Sequence, residues 1–501
     1  MEKIIDSYKL EVEGVKIETR IIKKEEMTKY EIIKQKISAP TEALLDEVKN
    51  KLIEEVKLSS DEILDPKIAG NIKEKFKNRA YELLGKYLEN ASEATKKYLI
   101  GMLINESLGL GDIEFLLSDI LLEEIVINSS KEPIMIYHKK YGWLETNIVP
   151  ENEDQILNYA NTIARRIGRQ ITTLNPLLDA HLLSGDRVNA VLYPISTKGN
   201  SVTIRKFSAD PLTVTDLINQ NISPVEVFSL IWLALEYEMN MLVSGGTASG
   251  KTTFLNVCLP FIPSNHRIIS IEDTRELYLP KYLYWTPLVT RLPNPEGEGE
   301  ISMLDLLVNS LRMRPDRIIL GEIRRKEEAA VLFEAMHTGH SVYATVHADS
   351  ANETIKRLVN PPIDVPPNLL EQVHLNVVMF RDRRKGIRRT YQISEFVSSE
   401  GEEENEIKPN IIYRWKPSID KVVKHLPSVR LFEQLGTFTG FTENEINKEV
   451  LQRKKILEWM IKKNVRNVQD VGKVMREYYL NRDVFLKLIN KNPDAKKILE
   501  N

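Results

Sequence analysis

One cysteine, Cys258, is all the thiol the sequence holds, so neither an intrachain disulfide nor a cysteine-built zinc centre can form. It sits in an apolar run, where a buried core thiol is expected. No apolar run is long enough to span a bilayer. The longest candidate, Val227–Leu235, stops at Glu236, far short of the ~20 residues a spanning helix needs. The opening residues Met-Glu-Lys-Ile-Ile-Asp lack the apolar core of a signal peptide. A cytoplasmic protein is therefore expected, reaching any membrane through a partner. Charge of one sign is also missing: 69 Lys+Arg stand against 72 Asp+Glu, for a net charge of −3. A dedicated nucleic-acid binder usually carries a basic excess, so nucleic acid is not the expected partner, although a local basic groove is compatible with this balance.

What is present exceeds one hydrophobic core. A chain of 501 residues implies two to four domains. Residues 1 to about 100 are rich in Lys and Glu, with short alternating stretches such as Leu10–Ile22 giving way to helix-like sequence from Thr41 to Ile104. From Gly109 to Phe207 short apolar runs alternate with turns. Ile125–Ile127, Ile134–Tyr137 and Val202–Phe207 read as strands and Gln155–Ile167 as a helix, which makes a compact α+β domain. Ser208-Ala209-Asp210-Pro211 reads as a linker. From Leu212 to Phe396 helices alternate with nearly continuous apolar strands, Met241–Ser244, Ile268–Ile271, Ile318–Leu320 and Val342–Val346. Such runs suit an α/β fold whose parallel sheet is covered on both faces. Ser399–Glu406 is an acidic, solvated loop, and the remainder reads as mainly helical, with a capping box at Thr442 and Glu445. No internal repeat is visible.

The strand Met241–Ser244 runs into Gly245-Gly246-Thr247-Ala248-Ser249-Gly250-Lys251-Thr252, followed by Thr253 and a helical pattern. This is a complete Walker A sequence in its proper strand–loop–helix context. Its glycines let backbone N–H groups converge on phosphate oxygens, and the helix N-terminus adds its dipole. Lys251 would reach the β- and γ-phosphates, and the Thr252 hydroxyl would ligate Mg²⁺. ATP and Mg²⁺ are thus the expected ligands.

Phosphoryl transfer also needs carboxylates at the metal and the attacking water. Ile268–Ile271 ends in Glu272-Asp273-Thr274-Arg275-Glu276, and Arg317–Leu320 ends in Gly321-Glu322. Both clusters fall at strand C-termini, the edge where open α/β sheets place ligands. His340 precedes the strand Val342–Val346 and His347 follows it; either could sense a phosphate or serve structure. A metal site from His337, His340 and His347 is the alternative. Arg187, Arg205, Arg312, Arg314, Arg324 and Arg325 are dispersed basic candidates for fingers supplied across a subunit boundary, but the sequence does not select among them.

This order of Walker A, acidic box, Gly-Glu and histidine box resembles the type II/IV secretion ATPases, which drive type II secretion, type IV pili and the archaellum. The resemblance covers about Gly109 to Phe396. It rests on Ile271-Glu272-Asp273-Thr274-Arg275-Glu276, Leu311-Arg312-Met313-Arg314-Pro315-Asp316, Gly321-Glu322-Ile323-Arg324, Thr338-Gly339-His340 and Thr345-Val346-His347-Ala348-Asp349. Gly185-Asp186-Arg187-Val188 and Val202–Phe207 extend it N-terminally.

The resemblance implies a RecA-like ATPase domain at 214–398, joined by a linker at 208–213 to a smaller PAS-like domain at 106–207. Accessory regions then occupy 1–105 and 399–501, and the assembly is a homo-hexamer. By the same resemblance, Glu276 polarises the attacking water and Glu322 holds Mg²⁺ through its hydration shell. His340 responds to the γ-phosphate, and Arg187, Arg205 and Arg312 neutralise charge. Glu272, Asp273 and His347 support them. The implied partners are a polytopic membrane platform protein and pilin-like filament machinery, at the inner face of the cell membrane. A single cysteine rules out the four-cysteine zinc module of many bacterial members. Tyr137-His138-Lys139-Lys140-Tyr141-Gly142, Arg314-Pro315-Asp316 and the helical C-terminal region look like the archaeal branch. The rival functions are a DNA-transport motor on the same core, or a nucleotide-gated scaffold that does not hydrolyse; intact Glu276 and Glu322 argue against the scaffold.

Overall fold

Alternating burial along Val15–Lys23, with Val15, Ile17, Thr19 and Ile21 turned inward, marks a strand with one solvated face. In the computed structural model this segment belongs to the first of two compact units, residues 1–209 and 210–501. The structure describes residues 3–23, 27–55, 66–182, 185–207, 211–293, 297–398 and 407–499. Residues 208–210 of the expected linker and the acidic stretch 399–406 lie outside them.

The first unit is built on one nine-stranded sheet. Its strands are β1 (Lys3–Val12), β2 (Val15–Lys23), β3 (Lys29–Ile33), β4 (Leu122–Ile127), β5 (Met135–His138), β6 (Gly142–Thr146), β7 (Leu177–His181), β8 (Arg187–Val191) and β9 (Ser201–Arg205). The spatial order is β1-β2-β3-β6-β5-β4-β9-β8-β7. The N-terminal strands thus continue the later sheet through a parallel β3–β6 pairing at Lys29↔Glu145 and Tyr30↔Thr146. Fully buried Asp119 secures the joint, accepting hydrogen bonds from the Tyr8 hydroxyl at 2.5 Å and the Tyr30 hydroxyl at 2.7 Å. The helix Glu153–Arg166 shows why its sequence folds locally. The Asn152 side chain caps the Gln155 N–H, acids fill the first turn, Arg165 and Arg166 the last, and Ile156, Ala160, Ile163 and Ala164 face the core.

The second unit holds another nine-stranded sheet, in the order β12-β11-β13-β14-β10-β15-β16-β17-β18. The strands are β10 (Met241–Gly245), β11 (Arg267–Glu272), β12 (Tyr284–Val289), β13 (Arg317–Leu320), β14 (Ser341–Val346), β15 (Leu375–Asp382), β16 (Ile387–Ser398), β17 (Ile407–Lys416) and β18 (Lys421–Lys424). From β12 to β15 every pairing is parallel, and β10, β13 and β14 are buried along their whole length. The continuous apolar runs reflect that double covering. The phosphate-loop strand β10 is central, with β14 between it and the Gly-Glu strand β13, which is the RecA-like α/β arrangement. Beyond β15 the sheet turns antiparallel, so part of the C-terminal stretch read as helical is strand.

The C-terminal helices Arg430–Thr439, Glu443–Lys462 and Val468–Leu480 share a core with the phosphate-loop helix Lys251–Cys258, including buried Cys258. Arg453 is wholly buried, paired to Glu236 and, at 2.7 Å, to Glu449. Its guanidinium lies over the rings of Trp232 and Tyr478. Removing one partner of such a pair leaves a charge stranded in the core. Arg453→Ala is therefore expected to lower the unfolding free energy by about 3–5 kcal/mol, read by urea denaturation. A loss of a few tenths of a kcal/mol would mean these helices are held by something else.

Candidate active site

The site lies at the carboxyl edge of the parallel strands of the second unit. β10 ends at Gly245, whose φ of 149° and close neighbours forbid a side chain. A Cβ there would stand 2.6 Å from the Met379 carbonyl and 2.5 Å from Ser249 Oγ. At Gly246 a Cβ would come within 2.7 Å of Asp349 Oδ1. Thr247 and Ala248 form the exposed outer bend, and Gly250 leads into the helix Lys251–Cys258. Thr252 is half-buried and Thr253 exposed in its first turn.

Lys251 is 9% exposed and donates to the Gly246 carbonyl at 3.1 Å. Burial pulls its ammonium below the usual lysine range, against the opposing pull of Glu322, Asp349 and Glu276. The three carboxylates named by that electrostatic coupling come from three different segments.

β13 delivers Glu322. Its turn is fixed by the Thr345 hydroxyl on the Gly321 carbonyl at 2.6 Å, and by the Ile323 N–H on the Thr345 carbonyl at 3.0 Å. One Glu322 oxygen meets His347 Nε2 at 3.2 Å. The other accepts from Arg324 Nε and Nη2 at 2.9 and 2.8 Å. Arg324 in turn pairs with Asp273, which also accepts from the Thr290 hydroxyl at 3.3 Å. His347 is 3.5 Å from Lys251 Nζ. Burial and the Lys251 charge hold its imidazole pKa low, with Glu322 pulling the other way. A continuous polar chain thus runs from Lys251 through His347, Glu322 and Arg324 to Asp273.

β11 delivers the second acidic segment. Glu272 is only 2% exposed, and one of its oxygens accepts the Glu276 and Leu277 N–H groups at 2.9 and 3.1 Å. Its other oxygen is buried and has no hydrogen-bond partner among the described residues. Glu272 therefore ties down the loop that presents exposed Glu276. Asn256, on the phosphate-loop helix, takes the Tyr278 N–H at 2.8 Å and fixes the far end of that loop.

Burial pushes the Glu272 carboxyl up to about 7. The folded protein binds this proton more tightly than the unfolded chain. The cost of ionising Glu272 is thus absent below the ordinary glutamate value of 4.5 and complete once pH has passed 7. Glu272→Gln carries no such cost. Its stability relative to the parent is expected to improve between pH 5 and pH 8.5 by up to roughly 3 kcal/mol, measured by urea unfolding at both pH values. An unchanged difference would show that Glu272 is not the group that titrates.

Two expected site residues lie elsewhere in this unit. His340 precedes β14, at the edge where the parallel strands begin. Six strand residues, about 20 Å, separate it from the phosphate-loop edge. Its ring approaches the Ala335 carbonyl and the Thr338 hydroxyl. The histidine that meets Lys251 is His347, because a parallel strand carries only its C-terminal end to the loop. The same spacing keeps His337 and His340 from converging with His347 on a metal. Arg312 is exposed and caps the helix Met303–Leu311, near the start of β13 and at that same far edge. Arg187 and Arg205 belong to the first unit. They are register partners on β8 and β9, and Arg187 pairs with Asp179 at 2.7 Å. One contact went unread in the sequence: Arg388 of β16 donates to the Ala248 carbonyl at 3.2 Å.

The donor set fits a magnesium-bound nucleoside triphosphate. The loop is a cradle that a Cβ would fill, with a buried lysine and a buried Ser249 hydroxyl that lacks a hydrogen-bond partner among the described residues. The hydroxyl of Thr252 and the carboxylate of Glu322 are hard oxygen donors of the kind Mg²⁺ prefers.

Comparison with known proteins agrees. The chain is 36% identical over 414 residues to the uncharacterized protein MJ0900 of Methanocaldococcus jannaschii, covering 81% of this chain and 74% of that one. A second uncharacterized protein of that organism, MJ0781, is 36% identical over 357 residues, 68% of this chain but only 46% of its own length. The type IV secretion system protein VirB11 of Bartonella quintana is 30% identical over 280 residues, 48% of this chain and 76% of that one. The family model of the type II/IV secretion system protein matches residues 119–383, over half the sequence and every part of the site described above except Arg388, and the chain belongs to that family.

Proposed function

We propose that this protein is a motor ATPase that works as a homo-hexameric ring. It couples ATP hydrolysis to assembly of a type IV pilus-like or archaellum filament, or to type II-like secretion, through a membrane platform protein. The observation that carries this reading is the convergence of Lys251, His347 and Glu322 at the phosphate loop, beside a Glu276 loop fixed by Glu272. A scaffold that merely bound nucleotide would need no such braced carboxylate.

Mg²⁺, when bound, would supply Lewis-acid charge neutralisation for the phosphates. The chain's own groups do the rest. Backbone N–H groups of residues 246–251 and the Lys251 ammonium would hold the phosphates, while Thr252 and Glu322 would hold the metal. Glu276 orients a water in line with the γ-phosphorus and takes its proton. The water oxygen bonds to the γ-phosphorus as the bond from that phosphorus to the β–γ bridging oxygen breaks, and ADP, keeping that oxygen, and phosphate leave. His347 stands between Lys251 and Glu322, where it can report the loss of the γ-phosphate. Arg187, Arg205 and Arg312 are candidates for supply across a domain or subunit boundary, where such fingers are worth roughly 10³–10⁵ in rate. Among the described residues no helix is long and apolar enough to cross a membrane, which fits work delivered through a partner at the cytoplasmic face.

In cells that carry the gene, replacing it with the Glu276→Gln form is expected to abolish the filament or secreted product while leaving the protein's abundance unchanged. Undisturbed filaments and secretion would refute the motor assignment.

A further inference from the structure

The antiparallel hairpin of β15 and β16 has no part in the phosphate-transfer chemistry above. β15 runs parallel to β10 in the register Gly245↔Met379, so the hairpin turn projects from the same edge as the phosphate loop. Its tip is strongly cationic: Arg381, Arg383, Arg384, Lys385 and Arg388 stand against Asp382 alone. Asp382 is spent on the turn, accepting the Arg384 and Lys385 N–H groups at 2.9 and 3.1 Å. Arg389 is also committed, to Asp420 at 2.6 and 2.7 Å.

Arg381 and Arg388 are direct cross-strand partners, a placement in which like charges repel unless an anion lies between or beside them. Arg388 also touches the loop itself. Its Nε donates to the Ala248 carbonyl at 3.2 Å, and its Cδ lies 3.5 Å from where a Gly250 Cβ would stand, at the entry to the phosphate-loop helix. That is the sole hydrogen bond of the Arg388 side chain among the described residues, which leaves both Nη groups of the fork available for a phosphate oxygen.

We propose that Arg388, with Arg381 opposite it, is a nucleotide-binding residue: the hairpin closes over the phosphate loop, and the Arg388 guanidinium bridges the Ala248 carbonyl and a phosphate oxygen of the bound nucleotide. This rests on the reading of the loop as an ATP site. Arginine matters here because one planar fork must serve the carbonyl and the phosphate together, which a lysine point charge does poorly.

The test is equilibrium binding of Mg²⁺·ATP and Mg²⁺·ADP to the full-length parent and to R388A, R388K, R383A and K251A, with unfolding midpoints recorded alongside. R388A is expected to weaken ATP binding about tenfold with an unchanged midpoint, the scale of one charge-assisted contact. R388K should recover only part of that, and R383A, which removes the same charge from the tip, should stay within about twofold. Parental affinity in R388A would overturn the assignment while leaving the ATP site intact, provided K251A loses binding. An equal loss in R383A would replace the specific contact with a diffuse basic field and overturn it as well. If the parent itself binds no nucleotide, both readings fall. Loss of single-stranded oligonucleotide binding in R388A with ATP affinity unchanged would also overturn it, making the tip a nucleic-acid surface.

Discussion

Lys251→Ala is expected to weaken Mg²⁺·ATP binding by roughly 10²–10⁴-fold and to remove hydrolysis with it. The reason lies in what surrounds the ammonium. It is 9% exposed and electrostatically coupled to Glu322, Asp349 and Glu276. Without it, the triphosphate would enter a desolvated site in which these carboxylates are the nearest charges. Loss of one partner from a buried charge cluster costs about 3–5 kcal/mol, which is the expected change in binding free energy. Calorimetric titration of the purified variant reads this directly, and a circular dichroism spectrum like the parent's shows that the fold is kept. A variant that binds ATP within threefold of the parent would remove Lys251 from the phosphate site.

Glu276→Gln separates binding from chemistry. Its backbone is held by Glu272, and its side chain is exposed at the loop surface, so the isosteric amide should leave the loop in place. Only the capacity to accept a proton from water is lost. Turnover should fall by roughly 10²–10⁴, the range for removal of a general base, while ATP affinity changes little. Glu322→Gln makes a useful contrast. It breaks the contacts to His347 and Arg324 as well as a metal contact, so its defect should show partly as a raised Mg²⁺ requirement. Equal and complete retention of turnover in Glu276→Gln would move the base role to another carboxylate.

Much of this site was legible because its signals are local. The strands at Met241–Ser244, Ile268–Ile271, Arg317–Leu320 and Val342–Val346 emerge within a residue or two of their reading. Burial on both faces forces an unbroken apolar run, and short carboxylate-bearing turns follow two of them. What stayed hidden depends on pairing across the chain. Nothing in Lys29–Ile33 announces that it will lie beside Gly142–Thr146, so the first three strands read as a separate region rather than as part of the nine-stranded sheet. Arg388 was invisible for the same reason, because its place over Ala248 follows from the Gly245↔Met379 register. Which histidine lies beside Lys251 is also a local matter, and it is His347. Both histidines flank one strand, and the rule that ligands gather at strand C-termini selects the second.

The central claim is that a braced Glu276 and a buried Lys251 make this chain an ATP-hydrolysing ring. Steady-state hydrolysis of Mg²⁺·ATP by the purified protein across a dilution series, beside Glu276→Gln, tests it most directly. The expected result is turnover whose specific activity falls on dilution, as neighbouring subunits withdraw their arginines, and which vanishes in the variant at every concentration. Absence of turnover throughout the series, or turnover that persists undiminished in Glu276→Gln, would contradict it.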